Sequence, residues 1–200
     1  MIGILDYGLG NIASISNSLN KLSKKNFFVS EQEDFNQATH LIIPGVGSYL
    51  SAMQILEKKN LINGIKKFAS EKPLLGICLG MQILSTIGNE FQKINGFDII
   101  PGEILKFNKD ENPLTTNVGW MKIYPKVNHK IFKNIDFDVE FYFDHSYYFK
   151  PLLEENILAV SKVKKNFCSC VFRKNTFGFQ FHLEKSHKNG LKILENFCNL

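Results

Sequence analysis

Apolar residues in the first half of the chain follow two alternating rhythms. Short continuous runs, Ile2-Gly3-Ile4-Leu5, Phe27-Phe28-Val29, Leu41-Ile42-Ile43 and Pro73-Leu74-Leu75-Gly76-Ile77, read as strands buried on both faces. Between them the spacing changes to that of a helix. Ile12, Ile15, Leu19 and Leu22 share one helical face, and Met53, Leu56, Ile62, Ile65 and Phe68 predict a second helix. Strands that alternate with amphipathic helices imply a mainly parallel sheet covered on both sides.

The second half changes rhythm. Glu103–Phe107, Trp120–Tyr124, Val139–Phe143, Ile157–Val163, Cys168–Phe172 and Thr176–Phe181 are strand-like and follow one another without helices, which predicts antiparallel additions to the sheet. A last helix, from about Lys185 to Cys198, carries Leu191, Leu194 and Phe197. The fold class is α/β, a mainly parallel central sheet flanked by helices with added antiparallel strands. Residues 1–200 form a single domain, without internal repeats or a linker.

Composition adds mainly exclusions. The chain has 200 residues, 44% of them hydrophobic, enough for one substantial core. The net charge of +5 comes from scattered lysines such as Lys24-Lys25 and Lys164-Lys165, with no basic run that would suggest nucleic-acid binding. The first residues do not resemble a secretory signal, and no apolar run approaches a membrane span, so a soluble cytoplasmic protein is expected. Four cysteines in that setting do not suggest a disulfide framework. Cys168-x-Cys170 lies in a strand-like run with the wrong spacing for a zinc pair, and reads as core packing.

Cys78 is different. Gly76-Ile77-Cys78-Leu79-Gly80 follows an apolar strand and precedes the helix-like Met81-Gln82-Ile83-Leu84, the setting of a nucleophile elbow with cysteine in place of serine. Glycines on either side relieve a turn that has no room for Cβ atoms. An adjacent helix N-terminus favours thiolate, which matters because a free thiol, with a pKa of about 8.5, is mostly protonated at neutral pH. A base for such a nucleophile is available in Gly178-Phe179-Gln180-Phe181-His182-Leu183-Glu184. If the strand continues, its two-residue period places His182 and Glu184 on one side, with Glu184 orienting the imidazole. Pro44-Gly45-Val46-Gly47 follows the Leu41–Ile43 strand, where the N–H of Val46 with that of Leu79 would form an oxyanion hole.

Together these segments resemble the class I (triad) glutamine amidotransferases, and within them the glutaminase subunits of imidazole glycerol phosphate synthase. The resemblance runs nearly end to end, through Asp6-Tyr7-Gly8-Leu9-Gly10-Asn11, Leu41–Gly47, Gly76–Gln82, Pro101-Gly102, Gly119-Trp120, His145-Ser146-Tyr147, Gln180-Phe181-His182, Glu184-Lys185-Ser186 and Gly190-Leu191. It implies a flavodoxin-like sheet and a Cys78–His182–Glu184 triad that hydrolyses glutamine. It also implies glutamine contacts from Gly47, Gln82, Glu90, His145, Ser146 and Tyr147. Ammonia would pass to a (β/α)8-barrel synthase subunit in a heterodimer, with Asn11 and Trp120 near the interface. No cofactor and no metal are implied.

Two departures stand out. The family's His-Met-Gly-Trp-Asn is Asn117-Val118-Gly119-Trp120-Met121 here, and its His-Pro-Glu is His182-Leu183-Glu184. The first lies near the expected partner surface and leaves open a paralogous subunit that feeds ammonia to amidation of a bacterial surface sugar. Two readings of other classes also stand. Gly8-Leu9-Gly10-Asn11-Ile12-Ala13, with Glu31 beyond it, formally matches a dinucleotide-binding fingerprint. A catalytically silent regulatory or scaffold subunit is the other.

Overall fold

A computed structural model describes residues 1–200. The first half contains β1 (Ile2–Leu5), α1 (Ile12–Lys21), β2 (Asn26–Val29), β3 (His40–Ile43), α2 (Tyr49–Lys58), α3 (Ile62–Glu71), β4 (Leu74–Ile77) and the short α4 (Leu79–Gln82). There follow β5 (Ile87–Gly88), β6 (Ile94–Asn95), β7 (Gly102–Lys106), β8 (Asn117–Met121), β9 (Tyr124–Pro125), β10 (Phe141–His145) and β11 (Tyr147–Pro151). The chain closes with β12 (Ile157–Lys162), β13 (Asn166–Arg173), β14 (Thr176–Phe179) and α5 (His187–Cys198).

The main sheet runs β2-β1-β3-β4-β14-β13-β11-β7-β5-β6, with β12 and β9 branching from β13. Its first five strands are parallel. From β14 onward most neighbours are antiparallel, although β5 lies parallel to β7. The division between a parallel first half and an antiparallel second half therefore holds with two exceptions, the β5–β7 pair and β14. β14 joins the parallel set, because the β13–β14 hairpin returns the chain alongside β4. β8 and β10 form a separate two-stranded ribbon.

Alternation within the buried strands builds two cores. Leu41 and Ile43 face the layer holding Met53, Leu56, Ile65 and Phe68 of α2 and α3. Ile42, between them, faces Ile15 and Leu19 of α1 and Ile193, Leu194 and Phe197 of α5. At roughly 25 cal/mol per Å² of apolar surface removed from water, this burial supplies the main drive for folding.

The single helix expected across Met53 to Phe68 is two helices. α2 ends at Lys58, and Asn60 adopts a left-handed conformation at φ 55°. Asparagine tolerates that conformation better than most residues, so it ends one helix and redirects the chain into the next. Short β5 and β6, and β11, which ends on Pro151, lack a sustained alternation and were not expected.

Candidate active site

The carboxyl ends of β3, β4 and β14 meet at one cleft of about 180 Å³. Cys78 lies immediately after β4, at φ 54° and ψ −112°. A side chain held there is strained by about 1–3 kcal/mol and persists only where packing enforces it. The glycines show what enforces it. A Cβ on Gly76 would meet Gly80 O at 2.4 Å, and one on Gly80 would meet Ile43 O at 1.9 Å. The turn is pressed against its own next residues and against β3. Cys78 N–H also donates to Phe179 O at 2.8 Å, tying the elbow to β14.

His182 follows β14 and reaches the same cleft. Its Nδ1 is 2.9 Å from Glu184 Oε1, and both side chains are almost fully buried. The expected geometry differs in detail. The strand stops at Phe179, and Leu183–Lys185 form a 3-10 turn with His182 as its cap. The tight turn, and not a continuing strand, brings the two side chains together. The ribbon secures this turn through His182 N–H, which donates to Tyr142 O at 2.9 Å, and the turn closes on itself where Ser186 Oγ donates to His182 O at 2.6 Å.

Burial opposes a charged imidazole, but hydrogen bonding to Cys78 and Glu184 and their negative charge outweigh it. His182 is pushed up to about 10. The arrangement is that of an imidazolium held between a sulfur and a carboxylate.

Val46, Gly47, Leu79, Gln82, Glu90, His145, Ser146 and Tyr147 all line the cleft with Cys78 and His182. Gly47 has φ 107°, a backbone that side-chain-bearing residues rarely adopt. The Pro44–Gly47 loop is seated by Tyr7, whose buried hydroxyl donates to Pro44 O at 3.0 Å. Gly45 packs so closely on the elbow that an added Cβ would lie 2.8 Å from Gly80 N. The opening Gly10 approaches the same loop, 3.0 Å from Gly45 N on the same measure. That contact gives the opening glycine motif a packing reason that needs no dinucleotide.

Each wall residue has a distinct placement. Gln82 Nε2 donates to Tyr147 O at 3.0 Å and to Gln180 Oε1 at 3.1 Å. Glu90 accepts Tyr49 N–H at the start of α2, 2.5 Å away. Ser146 Oγ donates to Thr116 Oγ1 at 2.9 Å. His145 has both ring nitrogens engaged, with Tyr147 O at 2.7 Å and Asn117 Nδ2 at 2.9 Å. Its ring therefore organises the wall.

Asn11 and Trp120 do not line the cleft. Asn11 is exposed and caps α1 by accepting Ser14 N–H at 3.2 Å. Trp120 is 41% exposed on the ribbon and stacks on His187 with ring centroids 4.8 Å apart. Its edge meets Tyr142, 5.7 Å away, and Tyr142 in turn lies beside the His182 ring at 6.3 Å.

Three residues at the cleft, two in its lining and one buried behind it, were not singled out in the sequence. Asp144 and Lys185 line it, and Gln180 Nε2 lies 3.7 Å from Cys78 Sγ. Gln180 and Lys185 stood inside quoted motifs, but spacing alone says nothing of where an amide will point.

Residues 3–200 match the family described as Glutamine amidotransferase class-I. The chain is 37% identical over 202 residues to imidazole glycerol phosphate synthase subunit HisH 2 of Pseudomonas aeruginosa, covering 100% of both chains. It is 40% identical over 199 residues to the subunit HisH 2 of Methanococcus maripaludis, covering 98% of each. Among solved structures it resembles PurLQS from Thermotoga maritima, with TM-score 0.77 and 17% identity over 99% of this chain and 97% of that one. A glutamine amidotransferase from the same organism gives TM-score 0.65 and 16% identity over 99% of this chain and 82% of that one.

Proposed function

The chain belongs to the class-I glutamine amidotransferase family, and from that premise we propose that it is the glutaminase subunit of an imidazole glycerol phosphate synthase. The observation that carries the reading is the meeting, in one cleft, of the strained Cys78 elbow with a His182 held by Glu184. The full-length similarity to named HisH subunits supports the pathway.

Cys78 thiolate attacks the side-chain amide carbon of glutamine, and the carbonyl oxygen becomes an oxyanion. The N–H of Leu79, first of its helical turn and so without an intrahelical acceptor, and the N–H of Val46, both on residues that line the cleft, are the donors proposed to receive it. As the C–N bond breaks, His182 gives its proton to the departing nitrogen, and ammonia leaves a thioester. Water then loses a proton to His182 and attacks that thioester. The C–S bond breaks, glutamate departs and the thiolate returns. Glu184 holds Nδ1 so that Nε2 faces these transfers. The ammonia passes to a (β/α)8-barrel subunit docked over the face that carries Trp120.

A second acceptor fits the same chemistry. Asn117 and Met121 flank the exposed Trp120 on β8, where the family usually has His and Asn, so a paralogous barrel that aminates a surface sugar is the competing partner. Glutamate release, measured alone and with each barrel plus its ligand, distinguishes them. Strong stimulation by the histidine-pathway barrel supports the reading, and stimulation by the sugar-pathway barrel replaces it. Cys78→Ala should abolish release while leaving partner binding intact; release at the wild-type rate would end the mechanism.

A further inference from the structure

On the reading that Cys78 is the nucleophile, we infer that Gln180 is a further catalytic residue. Its side-chain N–H steadies the sulfur as thiolate, and a buried polar relay that begins at Asn117 holds the amide in that donating orientation.

Gln180 is fully buried just beyond β14, and its Nε2 lies 3.7 Å from Cys78 Sγ, within hydrogen-bonding range for sulfur. The two ends of a carboxamide have nearly the same shape and opposite effects on an anion. An N–H turned toward the thiolate attracts it, and the carbonyl oxygen in that place would repel it. The orientation is therefore the chemical question, and the neighbours answer it.

Tyr147 C=O can only accept. Gln82 lies 3.0 Å from it and must present its nitrogen there. The same nitrogen's second N–H reaches Gln180 at 3.1 Å, so Gln180 presents oxygen to Gln82 and is left with nitrogen facing Cys78. Reversing either amide would set like groups against each other, and Gln180 is buried away from water that could relieve the clash.

The anchor is itself secured. Tyr147 O takes a second hydrogen bond from His145 Nδ1 at 2.7 Å, and His145 Nε2 accepts from Asn117 Nδ2 at 2.9 Å. Burial, reinforced by nearby His182 and only partly offset by the bond to Tyr147, holds His145 down to about 4. At neutral pH the ring has one N–H, and Asn117 directs it to Tyr147. The relay thus runs from Asn117 on β8, through His145, Tyr147 and Gln82, to Gln180 and the sulfur. Both N–H groups of Gln82 are consumed in it, which leaves its carbonyl oxygen as the atom free to meet glutamine.

The sulfur can be questioned directly, without glutamine. Purified full-length protein is treated with iodoacetamide, and modification of the Cys78 peptide is timed by mass spectrometry. Gln180→Leu should slow alkylation at pH 7 by about tenfold, the scale of one lost hydrogen bond to a charged group. Gln180→Glu should slow it further. Gln82→Leu should slow it too, although no substrate is present, because Gln180 is then free to turn. The Gln180→Leu and wild-type rates should draw together as pH rises and thiols ionise unaided, which distinguishes loss of thiolate from altered access.

Thermal melting identifies any variant that fails to fold, and Gln180→Leu carries the test if the buried carboxylate of Gln180→Glu is not tolerated. Wild-type rates in folded Gln180 variants would overturn the inference. A wild-type rate in Gln82→Leu would overturn the relay. A wild-type Cys78 alkylated no faster than an ordinary thiol would overturn the nucleophile itself, an outcome distinct from failure of Gln180 alone.

Discussion

A methyl group at Gly80 should silence the enzyme while leaving it folded. In Gly80→Ala the new Cβ would lie 1.9 Å from Ile43 O and 2.8 Å from Ile43 C, both backbone atoms of a central strand. Carbon and oxygen cannot approach much closer than about 3 Å, so the two segments must part by about 1 Å. β3 is hydrogen-bonded on both sides, to β1 and β4, and does not yield. The elbow yields instead and takes Cys78 with it. A misplacement of about 1 Å costs on the order of a hundredfold in rate, near 2.7 kcal/mol of barrier. Overpacking costs about 1–3 kcal/mol of stability, which at this chain length lowers Tm by about 2–4 °C per kcal/mol. The assay is glutamate release with the synthase subunit present, beside a calorimetric melt. A kcat/KM within twofold of wild type, in a protein with an unchanged melt, would refute the claim that packing against Ile43 sets the nucleophile.

Two further predictions concern the polar groups around the cleft. His182 is pushed up to about 10 from an ordinary 6.5, so its share of stability is complete below about pH 6.5 and is lost as pH rises through 10. Glu184→Gln should lower the His182 midpoint by about one to two units in an NMR titration and start that loss at lower pH; an unmoved midpoint would show that Glu184 does not hold the proton. Asn117→Ala leaves the buried Nε2 of His145 without its donor and should cost about 1–3 kcal/mol, read as a fall of several degrees in Tm, with no change in Tm counting against the assigned tautomer.

Much of this was legible because certain constraints are local. A Cys between glycines after an apolar strand specifies an elbow, since only glycine fits where Gly80 meets Ile43. The parallel first half was visible in its alternating rhythms, and every cleft residue expected beside Cys78 and His182 lies there. The pairing of His182 with Glu184 was expected on a geometry that does not occur. A strand and a 3-10 turn can both bring residues two apart together, and sequence spacing does not separate them. The interior hydrogen bonds were not visible. Gln180, Gln82 and Asn117 are far apart in the chain, and their amides acquire direction only after three strands and a ribbon have packed. The split of α2 from α3 turned on Asn60, a residue whose tolerance for positive φ carried a signal that apolar spacing masks.

The position of β14 bears on how the enzyme comes into being. It is the last strand made, yet it sits near the centre of the sheet, between β4 and β13, and its end leads into His182 and Glu184. A chain emerging from the ribosome has no partner for β4 on that side, and no acceptor for the Cys78 N–H, until residues beyond 176 arrive. Long-range pairing of this kind is slow and comes late. On the proposed mechanism, chains that stop short of β14 lack His182 and Glu184 and should release no glutamate from glutamine.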